Sequence, residues 1–463
     1  MRSEAPSGDV TRRLAAFCAG LSFADLDAAA RRAVGRHLLD TLGAAVAGSQ
    51  GLPARIAART LAEVGSDGPM PVPGMAGGWN RLAAAYLMGA SAHGLEVDDG
   101  YRAGSVHPGA PVIPAVLAAA WGGKVSGARA AAAIAVGYEV VTRVAETVHP
   151  ASRRRGFHNT SITGVLGAAA AAASVLGLDA GRTAHALGIA SSSAAGLFAF
   201  LHGGGEIKRL HPGLAAREGL YAALLARNGM TGPAGVLEGE DGFLQAFGDK
   251  ADPSRLVAGL GESLNVTRCY IKPYACCRHL HPGMDGVRAA MADAGIGADD
   301  IDAVEIGTYA IAAGHAHGGW EDMPSAQMNY RFCVALAARE AQVGIAAFDT
   351  AHLSDPVLSD LAGRVHVAVE GEREAEYPRL RSARVTLRTK SGAAFESYVD
   401  EPLGSARHPL SDAALIAKFE ELATPVLGAR ETAQLRARVG DLAALDDIDA
   451  LLAPVAGLER TAS

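Results

Sequence analysis

Five runs of small apolar residues constrain this chain more than any other feature: LLDTLGAAVAG at 38–48, RLAAAYLMGASA at 81–92, VIPAVLAAAWG at 112–122, GARAAAAIAVGYEVVTRVAETV at 127–148 and ITGVLGAAAAAASVLG at 162–177. Each is too long for a strand and apolar around most of its circumference, which describes a helix buried on nearly every side. Alanine and glycine at the contacts let such helices approach closely. Aromatic residues make up only 5% of the chain, so the core is built from close backbone packing. Residues 9–21 and 24–48 also read as helices, with Ser22 or Asp25 as the cap of the second. Residues 66–79 read as a Pro/Gly loop. Run 167–178 comes nearest to a membrane span, but its low hydropathy points to a buried helix, and no membrane partner is expected.

Polar residues concentrate in three islands between these runs. The first is HGLEVDDGYRAGSVHPGAP, beginning at His93, with Glu96, Asp98 and Asp99, then Arg102 and His107. Its glycines and its prolines at 108, 111 and 114 are expected to hold it out of regular helix until about Val112. Ionisable groups set between core helices are costly unless paired or used. The second island is GFHNTSITG, with His158 either facing a ligand or capping the helix that follows. The third, EIKRLHPG, places Lys208, Arg209 and His211 before a helix expected from Leu214. Cations there are uncomfortable without an anion.

Near residue 250 the pattern changes. NVTRCYIKPY, DAVEIGTYA, RVHVAVE and SARVTLRTKSGAAFESYVD alternate like strands, the last as a hairpin about Lys390–Gly392, with helices near 283–294, 326–341 and 354–363 between them. The expected fold is mainly α: a large all-helical domain from residues 1–264 and 403–463, and a smaller α+β lid domain, 265–402. A further basic cluster, KPYACCRHLHP, opens the lid with Lys272, Cys276, Cys277, Arg278 and His279. It reads as a mixed surface loop, an anion site, or less readily a metal or cysteine-nucleophile site. The adjacent cysteines lack zinc spacing, and no metal is expected.

A net charge of −7 gives no global attraction for nucleic acid, and none is expected as a partner. Five cysteines, an odd and irregular set, suit a reducing compartment, and the opening MRSEAPSGDVTRRL has no signal-peptide core. A cytoplasmic protein is the resulting expectation.

In their order, LLDTLGAAVAG, HGLEVDDG with HPGAPVIPAVLA, GFHNTSITG, IKRLHPGLAAREGLYAALLARNGMTGP and IKPYACCRHLHP resemble the MmgE/PrpD family. Its members dehydrate 2-methylcitrate, decarboxylate cis-aconitate or epimerise iminodisuccinate. The resemblance, from about Leu38 to Phe419, implies a helical domain with an α+β lid, a homodimer, and a site needing no metal or organic cofactor. It carries over His107, His158, Lys208 and Lys272 as matching site residues, with Glu96 at an aspartate position. Gly100, Cys277 and Phe332 depart from the decarboxylase's threonine, histidine and tyrosine, and Tyr330 lies two residues before the last. The implied chemistry is proton transfer beside a carboxylate of a small polycarboxylate substrate. His107 and His158 are candidate base and acid, and Glu96, Asp98 or Asp99 would orient a histidine. Lys208, Arg209 and Lys272 would hold carboxylates, with Cys277, His279 and Tyr330 as further substrate contacts. A lyase of dehydratase or decarboxylase type is the leading expectation. An epimerase, or a non-catalytic anion-binding protein of the same fold, is the alternative.

Overall fold

The computed structural model describes residues 9–200 and 205–456. Its contacts divide the chain into two compact units. One runs up to Cys269 and resumes at Phe419, and the other is Tyr270–Lys418. The protein is mainly α, with its larger sheet confined to the second unit.

In the first unit, α1 (Ala28–Gly48) starts at Asp27, whose carboxylate accepts from the Ala30 N–H at 2.7 Å. Ser22 and Asp25, expected to cap it, instead close a separate turn of 3-10 helix, Phe23–Asp25. The expected Pro/Gly loop contains a short antiparallel pair, β1 (Asp67–Pro71) with β2 (Gly78–Trp79). Then α2 (Arg81–Ala92) is capped by Asn80. Next, α3 (Gly109–Ala120) is buried at every residue and includes Pro111 and Pro114. The prolines therefore do not delay the helix to Val112. Pro111 falls in the first turn, where an N–H has no helical partner, and only Pro114 removes a bond. Behind it lie α4 (Gly127–Val148), the single turn α5 (Asn159–Ile162), α6 (Gly164–Leu176) and α7 (Ile207–Arg227). Leu14, Val140, Val144, Leu166 and Leu187 share one core cluster, and each such side chain contributes about 1.5–3 kcal/mol by burial. Segment Asn159–Leu176 is long and apolar enough to cross a membrane, and 89% of it is buried inside the protein.

One crossing positions the site. The glycines of α2 and α7 meet so closely that a Cβ on Gly89 would lie 2.9 Å from the Gly213 Cα. Backbone contact at this point brings the C-terminal end of α2, where the first polar island starts, beside the beginning of α7. It also explains why α7 begins at Ile207 rather than Leu214: extending the helix backwards through Pro212 loses one hydrogen bond and gains packing along α2.

The second unit holds a four-stranded sheet in the order β4-β3-β5-β6. Strand β3 (Ile301–Thr308) pairs parallel with β4 (Val365–Val369) and antiparallel with β5 (Ala383–Thr389), which forms a hairpin with β6 (Ala394–Val399). Gly392 turns that hairpin at φ +91°, a conformation that glycine adopts without steric cost. Helix α8 (His281–Ala294) packs on β5 and β6 and against α9 (Tyr330–Arg339). The alternating NVTRCYIKPY is not a strand. Asn265–Arg268 is a 3-10 turn, held because the Asn265 N–H donates to Glu139 at 2.6 Å and its amide to Thr142 at 3.0 Å. A buried carboxylate captured the backbone that the pattern assigned to a ladder.

Candidate active site

The three carboxylates of the first island part company in the fold. Glu96 stands in the left-handed region at φ +57°, a costly conformation for a non-glycine residue. There it accepts from Lys208 Nζ and, at 3.2 Å, from the Arg209 guanidinium. The expected anion for the cationic start of α7 is thus Glu96, with Glu206 3.7 Å from Arg209. Lys208 remains one-fifth exposed, whereas Glu96 is 7% exposed.

Asp98 is wholly buried between two imidazoles. Its Oδ2 lies 2.6 Å from His93 Nδ1 and 3.3 Å from His107 Nδ1. Against the opposing effect of burial, His107 and His93 hold its carboxyl well below the usual range, so it is an anion. His107 Nδ1 also lies 2.7 Å from the Asp99 carbonyl oxygen. A carbonyl only accepts, so Nδ1 carries the hydrogen and Nε2 is the basic nitrogen of the neutral ring. The His107 backbone N–H donates to Thr160 Oγ1 at 3.2 Å, and its side chain is 17% exposed.

Asp99 serves the scaffold. Its carboxylate accepts from the Tyr138 hydroxyl at 2.7 Å and the Gly109 N–H at 3.0 Å, and lies 2.9 Å from His37 Nδ1. A Cβ at Gly109 would collide with Thr41 Oγ1 and the Tyr138 hydroxyl and press on this carboxylate. Among the histidines of the site, Asp99 orients His107 through its backbone alone. Replacing Asp99 by alanine is expected to cost about 3–5 kcal/mol by stranding buried partners, read as a lower denaturant midpoint; Asp99→Asn retains part of the loss.

His158 occupies the position before α5, but its side chain makes no cap bond. Instead Nδ1 faces His211 Nδ1 at 2.9 Å, so one ring donates and the other accepts. Its ring packs against Phe198, Phe200 and His93, at centroid distances of 4.9, 5.8 and 5.8 Å. Burial, then the charges of His93, His211 and Lys208, push His158 well below its ordinary value. It is a neutral hydrogen-bonding ring at neutral pH, which suits polarising a substrate oxygen better than delivering a proton. His93, fully buried, is lowered to about 4 by burial in spite of Asp98. Neither His93 nor His211 was singled out as catalytic from the sequence. The signal was the spacing of His93 five residues before Asp98, and His211 one turn after Lys208 in α7.

These shifts fix an acid sensitivity. His93 has a folded pKa below its unfolded value, so the unfolded chain binds more protons between pH 6.5 and about 4. Stability is present above this window and falls on acidification through it, by a few kcal/mol; lowered Asp98 acts in the same direction. Urea midpoints are expected to drop from pH 7 to 5, and less so in His93→Asn.

The other expected contacts lie in the second unit. Lys272 is 1% exposed and close enough to His281 for its charge to help depress that ring, after burial and Arg278. His279 Nδ1 meets the Tyr309 hydroxyl at 2.6 Å. Cys277, half-buried, lies 3.9 Å from His315 Nε2. Tyr330 and Phe332 are fully buried, and the Tyr330 ring packs on Gly283. Because Cys18, Cys269, Cys276 and Cys333 are all buried, iodoacetamide is expected to label Cys277 at least about tenfold faster than the others in the native protein, as read by peptide mass spectrometry.

Among the described residues, His93, Asp98 and His107 form a group able to offer three ligand atoms within 4.8 Å of one another. The Nδ1 atoms of both rings already face hydrogen-bond acceptors at 2.6 and 2.7 Å, and we assign the trio as a hydrogen-bonded array.

The sequence matches the MmgE/PrpD N-terminal domain over residues 12–256 and the MmgE/PrpD C-terminal domain over 274–442. It is 27% identical over 476 residues to the cis-aconitate decarboxylase-like protein oryM of Aspergillus oryzae, covering 98% of each chain. It is 29% identical to cis-aconitate decarboxylase of Aspergillus terreus, over 80% of each chain. With human cis-aconitate decarboxylase it shares 26% identity, over 80% of this chain and 78% of that one. The chain belongs to the MmgE/PrpD family.

Proposed function

We propose that this protein is a lyase that removes CO2 or water from a small di- or tricarboxylate by proton transfer at a carbon beside a carboxylate. One observation carries this: a cationic pair, Lys208 and Arg209, shares the first unit with an ionised Asp98 set against the Nδ1–H of His107. The names of the relatives support the decarboxylase branch and an aconitate-like substrate.

The chemistry follows from the charges. A substrate carboxylate takes up the free hydrogen-bonding capacity of Lys208 and Arg209, whose charge Glu96 only partly offsets. As a C–H or C–CO2 bond breaks, its electron pair spreads onto carboxylate oxygens, and the cations stabilise that enolate-like state more than the ground state. In dehydration His107 Nε2 takes the proton from the carbon and, as the C–O bond breaks, the imidazolium gives that proton to the leaving hydroxide, which departs as water. In decarboxylation the C–CO2 bond breaks to release CO2, and His107, having first taken a proton from solvent at Nε2, delivers it to the carbon that lost CO2 and reverts to the neutral ring. Asp98 stabilises the imidazolium in both cases. His158, neutral, is placed to donate or accept one hydrogen bond.

Purified protein incubated with cis-aconitate, citrate, 2-methylcitrate, tartrates and iminodisuccinate, followed by proton NMR, tests the reading. Loss of CO2 or water from one compound is expected. Inversion without loss of atoms would place the chain among the epimerases instead, and saturable binding without turnover would make it an anion-binding protein.

A further inference from the structure

His93 has no part in the chemistry above, yet it is the imidazole nearest Asp98. It caps the C-terminal end of α2, is 0% exposed, and its Nδ1 lies 2.6 Å from Asp98 Oδ2, closer than His107 at 3.3 Å. Its Nε2 is buried and has no hydrogen-bond partner. A polar atom left so costs about 1–3 kcal/mol, so the ring is held by its Nδ1 side, at Asp98. The His93 ring stands edge-on to His107, with centroids 4.9 Å apart, and 5.8 Å from His158.

We propose that His93 is a positioning residue, whose Nδ1–H holds the Asp98 carboxylate at the Nδ1–H of His107 and draws off part of its negative charge. The inference rests on the assignment of His107 as the proton-transfer group. One carboxylate oxygen then serves two donors. The proton on His107 is held less tightly than a full, undivided anion would hold it, and is released more readily to a substrate carbon. The charged and titratable groups facing this pair are Asp98 between them, His158 across the His93 ring, and Lys208, whose charge reaches His93 and His158. Replacing His93 leaves Lys208 in place, removes the nearer donor from Asp98, and takes away one of the charges that lower His158.

Two variants and one spectrum test this in the full-length protein. In His93→Phe, the Asp98 carboxylate loses its His93 donor, so the His107 ring titration by NMR, and the acid limb of kcat/KM, are expected to move to higher pH by about half a unit or more. The value of kcat is expected to fall with KM little changed. His93→Asn, whose amide N–H replaces Nδ1–H, is expected to restore both. A folded His93→Phe with an unmoved His107 titration, or an Asn variant no better than Phe, would overturn the proposal. Should His93→Phe fail to fold, the wild-type nitrogen spectrum decides: a protected Nδ1–H on a His93 that stays neutral from pH 5 to 8 supports it, and titration of His93 in that range refutes it. A shifted His107 titration in a protein that turns over no carboxylate would sustain the positioning role while removing the lyase assignment.

Discussion

Replacing His107 by asparagine is expected to lower kcat by about 10²–10⁴-fold, the usual contribution of a positioned acid–base group. The substitution is chosen for what it keeps. Asparagine retains an N–H near the position of Nδ1, so the contact to the Asp99 carbonyl survives while the Nε2 lone pair is removed. Folding should therefore persist, and KM should change little, since the carboxylate-binding cations are untouched. Steady-state kinetics with a circular dichroism control checks both parts. A His107→Asn protein with near-normal kcat would remove the base from the proposal.

The second large effect is at Lys208. Lys208→Met is expected to reduce kcat/KM by about 10²–10³-fold, the size of losing a charge that stabilises a developing anion. Two losses are mixed in that variant, because Glu96 is left with Arg209 as its cation. The double variant Lys208→Met, Glu96→Gln separates them. Removing the carboxylate charge that Lys208 had offset is expected to recover thermal stability, whereas kcat/KM is expected to stay low. Recovery of activity along with stability would mean that Lys208 serves only to neutralise Glu96.

Much of the helical architecture is legible in the sequence because small apolar runs leave few alternatives. Residues 127–148 form one helix with the limits their pattern suggests, and the hairpin turns at Gly392. The errors have physical causes. Pro111 costs its helix no hydrogen bond because it lies in the first turn, and at Pro114 and Pro212 tertiary packing outweighs one lost bond. Alternation in NVTRCYIKPY was outweighed by a buried Glu139 that no local pattern announces. In the site, residue types were readable but their division of labour was not. Glu96, Asp98 and Asp99 lie within four positions, yet one meets the cations, one the histidines and one the scaffold. That division depends on a left-handed residue at Glu96 and on partners 39 to 113 positions away, which sequence order does not reveal. His211 gains its role from His158, 53 positions away, whereas His93 lies only five residues from Asp98, a spacing that shows proximity but not the buried pairing.

The most direct test of the account is solvent-deuterium incorporation with the turned-over polycarboxylate in D2O, comparing the wild type with folded His107→Asn. Deuterium at the carbon that lost CO2, or, where water is lost, exchanged into unreacted substrate at the carbon beside the carboxylate, lost from the variant together with turnover, is the expected result. Equal incorporation and turnover by the two proteins would contradict it, and would place the proton transfer on some group other than the His107–Asp98 pair.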